Sequence, residues 1–207
     1  MKILIADDHA IVRKGLIELL REEFHAIDVY EATNSQQAVD TVARQSPDVI
    51  LLDISMPGVS GIETLKQLRA NGVKAPILML SMHPEDQYAI RSLRAGASGF
   101  INKETATEEL LVAVHKVLGG KKYITPSVAE KLAQVGQQDT RAAHESLSDR
   151  EMQVLQLIGS GKTVSEIAEQ ISLSVNTIST YRTRLLDKLG LKNNAELTRY
   201  ALDHHLI

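Results

Sequence analysis

The fold is decided by a short apolar run that ends in two carboxylates, Lys2-Ile3-Leu4-Ile5-Ala6-Asp7-Asp8. Three further apolar runs of similar length each end at a polar residue, and these residues are Asp53, Ser81 and Lys103. Short apolar runs that alternate with helical patterns are typical of parallel strands covered on both faces. Because the carboxyl ends of parallel strands lie along one edge of the sheet, the sequence predicts that these polar ends form one site.

Five segments with helical periodicity separate and follow these runs. Since strands and helices alternate strictly, with a second strand near residues 27–32, we predict a doubly wound, five-stranded parallel α/β sheet of the flavodoxin type. Asp8 or His9 is expected to cap the first helix. Ser35 is expected to cap the second helix, and Pro84 to occupy the first position of the fourth. The predicted helices cover about residues 11–20, 35–45, 61–70, 84–95 and 106–118, and the last stops at Gly119-Gly120.

Composition excludes several classes of protein. The 207 residues contain no cysteine, which excludes disulfides and thiolate metal sites, and no apolar run is long enough to cross a membrane. The charged residues 7–8 come too early for a secretory signal, so we expect a cytoplasmic protein with no membrane partner. With no Trp, two Phe and five Tyr, the chain lacks the aromatic residues that a platform for single-stranded nucleic acid needs.

The four strand ends supply the groups of a phosphoryl-transfer site. Asp7, Asp8 and Asp53 would repel one another unless a cation lies among them, and Mg²⁺ prefers such oxygen ligands together with phosphate oxygens. One carboxylate can then act as the nucleophile and become an aspartyl phosphate. Lys103 would neutralise one phosphoryl oxygen, and Ser81 would donate a hydrogen bond to another. Each residue alone is more often a turn or cap residue, but their joint occurrence at four strand ends favours the site.

The C-terminal third contains helical patterns without strands. Between residues 123 and 146 the periodicity weakens, which predicts a linker with one short helix. Capping patterns at Ser148, Thr163 and Ser174 each open a helix, and a fourth helix is predicted near residues 194–204. The chain is therefore divided into an α/β domain at residues 1–122, the linker at residues 123–146, and an all-α, four-helix domain at residues 147–207.

The third helix of the C-terminal domain has one apolar face and one small polar face. Small polar side chains flanked by basic ones suit a helix in the major groove of DNA. Since the domain is not basic overall, a helical module that binds protein stays open as an alternative. The residues expected to contact bases are Asn176, Ser179, Thr180 and Thr183, those expected to contact phosphates are Lys162, Arg182, Arg184 and Lys188, and Thr177 is also expected to contact DNA.

Residues 1 to about 122 resemble the receiver domain of response regulators. The resemblance rests on residues 7–8, on Asp53 followed by Met56-Pro57-Gly58, and on Ser81 and Lys103. Many receivers have a proline in a cis peptide after this lysine. Here Glu104 follows, and because a cis bond before a non-proline residue costs about 2.5–4 kcal/mol, we expect a trans bond.

The resemblance to receivers implies a role for each site residue. Asp53 would accept a phosphoryl group from a histidine kinase. Ser81 and Phe100 would form a switch pair, in which the hydroxyl moves toward the phosphoryl group and the ring turns inward. The implied ligands of Mg²⁺ are Asp7, Asp8, Asp53 and the backbone carbonyl of Ser55.

Residues 147–207 resemble a LuxR-type helix-turn-helix domain, and the whole chain resembles the NarL/FixJ family of response regulators. The resemblance implies that residues 174–188 form the recognition helix and that residues 163–170 support it. It also implies a dimer contact on the last helix, residues 194–205, formed by Asn194, Leu197 and Ala201. The segments that carry the resemblance are residues 147–151, 161–163, 166–168, 174–178 and 189–191.

These features predict a transcription regulator rather than an enzyme. Phosphorylation of Asp53 is expected to control dimerisation and sequence-specific binding to double-stranded DNA. The resemblance implies Mg²⁺ as cofactor, a histidine kinase and RNA polymerase as partners, and a homodimer when the protein is phosphorylated. Two other functions stay open: a receiver with a protein-binding helical output, and a Mg²⁺-dependent phosphohydrolase that forms an aspartyl phosphate.

Overall fold

The computed structural model describes residues 1–56, 59–82, 85–135, 143–204 and 206–207. The chain divides into two compact units, Met1–Gly136 and Gln137–Ile207. Among the described helices, none has the length and apolar character that crossing a membrane requires.

The first unit contains a five-stranded, all-parallel sheet. Its strands are β1 (Lys2–Ala6), β2 (Asp28–Ala32), β3 (Val49–Asp53), β4 (Ile77–Ser81) and β5 (Gly99–Asn102), in the order β2-β1-β3-β4-β5. Asp53 lies opposite Leu80, and Ser81 lies opposite Asn102, so the carboxyl ends of three neighbouring strands are level. The predicted doubly wound sheet of the flavodoxin type is confirmed.

Helices cover both faces of this sheet. They are α1 (Ala10–Glu23), α2 (Ser35–Gln45), α3 (Gly61–Ala70), α4 (Glu85–Arg94) and α5 (Ala106–Leu118). Alternate residues of each strand join opposite cores, as Leu4 and Ile5 do in β1. All side chains of β3 and β4 are buried, which explains why the sequence shows continuous apolar runs there.

The helix starts correct two capping predictions. Asn34, and not Ser35, caps α2, since its side chain accepts the Gln37 N–H. The Ser35 hydroxyl instead donates to the Val59 carbonyl at 2.6 Å, a contact between elements that local sequence does not reveal. His9 occupies the N-cap position of α1 without a capping hydrogen bond. Pro84 lies outside the described residues.

A glycine allows α3 to begin against the end of β3. A Cβ atom at Gly61 would lie 2.0 Å from the Asp53 carbonyl oxygen, so no other residue fits without moving the backbone. The Gly61 N–H donates to the Ile54 carbonyl at 2.9 Å. The start of α3 therefore packs directly against the backbone of Asp53.

A sixth helix, α6 (Pro126–Val135), packs on the first unit although the sequence placed it in a linker. Tyr123 forms a parallel bridge with Gly99, where a Cβ atom would lie 2.7 Å from the Tyr123 carbonyl oxygen. Val128 is buried in the same apolar cluster as Phe100. Leu132, one turn later in α6, is partly buried against the same cluster.

The second unit contains a short 3₁₀ helix (Ala143–Ser146) followed by four α-helices. These are α7 (Asp149–Gly159), α8 (Val164–Gln170), α9 (Val175–Leu189) and α10 (Asn194–Asp203). The predicted capping boxes at Ser148 and Thr163 are confirmed, and the Ser174 side chain caps α9. One apolar core, which includes Leu155 and Ile178, joins all four helices.

Candidate functional site

The predicted carboxylates meet at the carboxyl ends of β1 and β3. Asp7 and Asp53 are fully buried, and Asp8 is partly buried beside them. The Lys103 ammonium reaches both buried carboxylates, since its Nζ lies 2.7 Å from Asp7 Oδ2 and 2.9 Å from Asp53 Oδ2. One lysine thus faces two buried carboxylates, with a third at the edge.

Burial and the neighbouring charges shift the pKa of the Asp53 carboxyl group. Burial raises the pKa of its carboxyl group above the ordinary value, since the charged form loses water. Lys103 opposes that shift, and the neighbouring charge of Asp7 reinforces it. The pocket brings three carboxylates together with the ammonium of Lys103, so it holds more negative charge than that lysine neutralises.

The backbone around the pocket places the other predicted residues. The Ser55 N–H donates to Asp53 Oδ1 at 3.2 Å, and the Lys103 N–H donates to the Ser81 carbonyl at 2.8 Å. Ser81 is fully buried at the end of β4. The Lys103–Glu104 bond is trans as expected, because the described residues contain no cis peptide. Of the Met56-Pro57-Gly58 segment, Met56 is buried, and Pro57 and Gly58 lie outside the described residues.

The donors present fit a divalent cation such as Mg²⁺. Asp7, Asp8, His9 and Asp53 each offer one ligand atom, and these four atoms lie within 4.8 Å of one another. Asp7 Oδ2 and Asp53 Oδ2 are buried and face the Lys103 ammonium, and Asp8 Oδ1 is buried beside His9 Nδ1. Carboxylate oxygens are the ligands that Mg²⁺ takes together with water and phosphate oxygens. The ligand role of the Ser55 carbonyl stays a prediction.

The second unit places the predicted polar face of α9 in solvent. The side chains of Asn176, Ser179, Thr180 and Thr183 are all exposed, while Ile178 is buried on the opposite face. The Thr180 hydroxyl donates to the Asn176 carbonyl at 2.9 Å, and the Thr183 hydroxyl donates to the Ser179 carbonyl at 3.1 Å. Both threonines therefore present a hydroxyl oxygen as acceptor, together with a methyl group. Thr177 belongs to the helix start, since its N–H donates to Ser174 Oγ.

The side chains predicted to contact phosphate differ in whether they already contact another residue of the chain. The Lys188 ammonium lies 2.7 Å from the buried carboxylate of Glu151. Arg182 donates to Asn194 Oδ1, and Lys162 donates to Gln170 Oε1. Arg184 is exposed and makes no hydrogen bond or ion pair with the part of the chain that the structure describes.

Comparison with known proteins decides what this pair of units is. The family model described as response regulator receiver domain matches residues 3–115, and that of bacterial regulatory proteins, luxR family, matches residues 145–201. Response regulator UvrY of Escherichia coli (strain K12) is 35% identical over 209 residues, covering 100% of this chain and 95% of that protein. The chain is a NarL/FixJ-family response regulator.

Further relatives span the same two units. Oxygen regulatory protein NreC of Staphylococcus aureus (strain MRSA252) is 37% identical over 215 residues, covering 100% of this chain and 99% of that protein. RcsB from Salmonella enterica serovar Typhimurium was solved bound to promoter P1flhDC in the presence of the phosphomimetic BeF3⁻. It is 30% identical, with a TM-score of 0.61 over 97% of each chain.

In this response regulator, two of the residues predicted for dimerisation are buried and cannot contact a second copy. Leu197 and Ala201 have no exposed area and lie in the core that α10 shares with the rest of the helical unit. The Asn194 side chain is engaged by Arg182. The prediction for Leu197 and Ala201 is therefore corrected, because an apolar spacing on a helix is the same for a core face and a dimer face.

Two residues of the pocket were missed from the sequence. Arg13 donates from Nη1 to the Asp7 carbonyl at 2.7 Å and from Nε to Glu31 at 2.9 Å, which fixes the end of β1 against β2. His9 turns its ring toward Asp7 and Asp8. For His9 the available signal was its position directly after the two aspartates, whereas nothing local links Arg13 to Glu31.

Proposed function

We propose that this response regulator accepts a phosphoryl group on Asp53 from a histidine kinase and thereby controls its dimerisation and its binding to promoter DNA. The observation that carries the proposal is the buried Asp53 carboxylate with Lys103 Nζ at 2.9 Å and two further carboxylates beside it. Family membership supports the regulatory role, and the polar face of α9 supports an output to DNA.

The transfer step is a substitution at phosphorus. An Asp53 carboxylate oxygen attacks the phosphoryl group of a phosphohistidine, the new O–P bond forms, and the N–P bond breaks with the electron pair leaving on the imidazole. Asp7, Asp8 and Asp53 would hold Mg²⁺, which supplies charge neutralisation for the phosphoryl oxygens when bound. Lys103, already at the pocket, would follow the phosphoryl group as a point charge, and the Ser81 hydroxyl would donate to it.

The switch is proposed to pass through Phe100 to α6. Phe100 is 3% exposed and shares an apolar cluster with Val128 of α6 and with Leu93 of α4. A closely packed core does not tolerate a change in ring position without moving its neighbours. Movement of Ser81 and Phe100 on phosphorylation would therefore displace the helix that leads into the second unit.

The output is proposed to be a helix in the major groove. Asn176, Ser179, Thr180 and Thr183 would contact bases, and Arg184 would contact a phosphate together with Lys162, Arg182 and Lys188 after these exchange their present partners. RcsB bound to its promoter supports this mode of binding. Dimerisation through the outer face of α10, recruitment of RNA polymerase and a cytoplasmic location complete the proposal.

The central experiment weighs the intact protein after incubation with acetyl phosphate and Mg²⁺. The wild type is expected to gain one phosphoryl group, and Asp53→Asn none. Asp48→Asn serves as the matched control, since Asp48 lies at the opposite end of β3. Equal uptake by Asp53→Asn would refute the assignment. Continuous release of phosphate from a generic phosphomonoester would favour the phosphohydrolase instead.

A further inference from the structure

Arg13 joins three elements of the receiver at the end of β1. The residue lies in α1, and its Nη1 donates to the Asp7 carbonyl of β1's carboxyl end at 2.7 Å. Its Nε donates to Glu31 Oε2 in β2 at 2.9 Å. The side chain is only 13% exposed although it carries a charge. One guanidinium group therefore ties a helix and two neighbouring strands together.

The carbonyl that Arg13 binds belongs to the peptide group between Asp7 and Asp8. Because a peptide group is planar, a bond to this oxygen fixes the plane from which both residues extend. The Asp7 N–H donates to the Ala32 carbonyl at 3.0 Å, so the Asp7 backbone is held on both sides. The direction of two pocket carboxylates therefore depends, through their backbone, on the guanidinium group of Arg13.

Glu31 orients the guanidinium group. It lies opposite Ile5 in the register of β1 and β2, and its side chain is 49% exposed. An ion pair that is so exposed contributes little to stability. A planar guanidinium group held at Nε nevertheless has a defined orientation, which leaves Nη1 directed at the Asp7 carbonyl. The effect of Glu31 on the pocket is thus expected to pass through Arg13.

We propose that Arg13 and Glu31 are positioning residues for phosphoryl transfer, in which Arg13 holds the Asp7–Asp8 peptide group and Glu31 orients Arg13. The inference rests on the proposed function, since it takes these carboxylates to bind Mg²⁺ for transfer to Asp53. Its sign is opposite to that of a simple charge effect. A positive charge near the pocket repels Mg²⁺, so removing the charge alone would tighten binding, whereas losing the positioning weakens it.

Two substitutions of Arg13 separate position from charge. Arg13→Lys keeps the charge but lacks the planar fork of donors, and Arg13→Gln lacks both. Binding of Mg²⁺ alone to the full chain is measured by calorimetry, and phosphoryl uptake from acetyl phosphate is followed by intact mass over a Mg²⁺ series. Both variants are expected to bind Mg²⁺ about tenfold more weakly, while uptake at saturating Mg²⁺ keeps the wild-type rate.

Glu31→Gln tests whether the exposed carboxylate acts through Arg13. Alone it is expected to weaken Mg²⁺ binding by about threefold, because the bond from Arg13 to Asp7 remains. Combined with Arg13→Lys it is expected to add nothing, whereas two independent charge effects would add. Arg21→Lys is the matched control, because Arg21 is exposed in the last turn of the same helix, and it is expected to leave Mg²⁺ binding unchanged.

Four outcomes would overturn the inference. They are tighter or unchanged Mg²⁺ binding in Arg13→Gln, normal binding in Arg13→Lys, an additive double variant, and a lower extent of uptake at every Mg²⁺ concentration with unchanged affinity, which would indicate a purely structural role. If the Arg13 variants do not fold, Glu31→Gln decides, and an unchanged affinity there overturns the inference. Wild-type protein that binds Mg²⁺ but takes up no phosphoryl group would instead contradict the proposed function, and the calorimetry would still test the positioning.

Discussion

Asp53 and Glu151 are buried carboxyl groups of this response regulator, and each lies beside a lysine. Their pKa values are nevertheless shifted in opposite directions. Burial raises the pKa of Asp53, and Lys103 only partly offsets it because that lysine also contacts Asp7. Burial acts in the same direction on Glu151, yet hydrogen bonds from Lys188 and Ser148 outweigh it and lower the pKa of that carboxyl group. The pKa of a buried carboxyl group is thus raised in the first unit and lowered in the second.

The difference comes from the stronger desolvation of Asp53 and from the lysine that Asp53 shares with Asp7. Glu151 Oε2 accepts the Ser148 N–H at 2.7 Å and lies 2.7 Å from the Lys188 ammonium. Asp53 accepts one backbone N–H and shares its lysine. A carboxylate whose charge is fully compensated is structural, whereas one that shares its lysine with a second carboxylate has capacity left for a cation and an electrophile. We infer that a shared lysine, in addition to burial, marks the reactive carboxylate.

The largest expected effect follows from removing the shared lysine. Lys103→Met leaves two buried carboxylates without their cation, which is expected to lower the free energy of unfolding of the receiver by about 3 kcal/mol at pH 8. The stability of a group with a raised pKa is fully present below its ordinary value of 3.8 and is lost as the pH rises through the folded value. The deficit of Lys103→Met is therefore expected to shrink toward pH 4.

Amide hydrogen exchange of the full chain, followed by mass spectrometry at several pH values, measures this deficit in β1, β3 and β5. Lys14→Met is the control, because Lys14 is an exposed lysine on α1. A deficit of the same size at pH 4 and pH 8 would mean that carboxylate charge is not its cause.

The pocket could be predicted from sequence because strand ends are a local signal. Asp7, Asp53, Ser81 and Lys103 each follow an apolar run, and parallel topology brings such ends together without knowledge of any tertiary contact. The exposed face of α9 was predictable for a similar reason, since helical periodicity assigns each residue to a face.

The missed features all join elements that are distant in sequence. Lys188 and Glu151 meet across α9 and α7, and α6 packs on α4 and shares an apolar cluster with Phe100 of β5. Helical periodicity does not show which basic side chain pairs with which acidic one. The sequence therefore predicted only a phosphate contact for Lys188. The apolar spacing of Leu197 and Ala201 was recognised correctly, but periodicity does not state whether the partner of a face is the same chain or another copy.

The second prediction concerns the satisfied carboxylate. Glu151→Gln keeps the shape of the capping box but loses the charge that holds Lys188, so the helical unit is expected to lose about 1–2 kcal/mol of unfolding free energy at pH 7. The pKa of Glu151 is lowered, so its contribution is present above the ordinary value of 4.5 and is lost as the pH falls through the folded value. The loss is therefore expected to vanish on acidification, opposite to the trend for Lys103→Met.

Hydrogen exchange in α7 and α9 provides the measurement, and Glu166→Gln provides the comparison. Glu166 forms the equivalent capping box with Thr163 but is exposed, and no lysine among the described residues forms an ion pair with it. A smaller loss is expected there. If both variants lose the same stability, the Lys188 contact contributes nothing beyond helix capping.

The smallest expected effect lies on the exposed face of α9, where no buried charge is involved. Thr183→Val keeps the methyl group and the shape of the side chain but removes the hydroxyl oxygen that is left to accept a hydrogen bond. A lone hydroxyl contact is weaker than a bidentate pair of about 1–3 kcal/mol, so sequence preference is expected to change by about 0.5–1 kcal/mol at one base pair.

Arg184→Ala is expected to weaken binding to all DNA sequences equally and to reduce the slope of affinity against salt concentration by about one. Binding of specific and random duplexes over a salt series separates the two roles, and identical behaviour of the two variants on both duplexes would contradict the division between base and phosphate contacts.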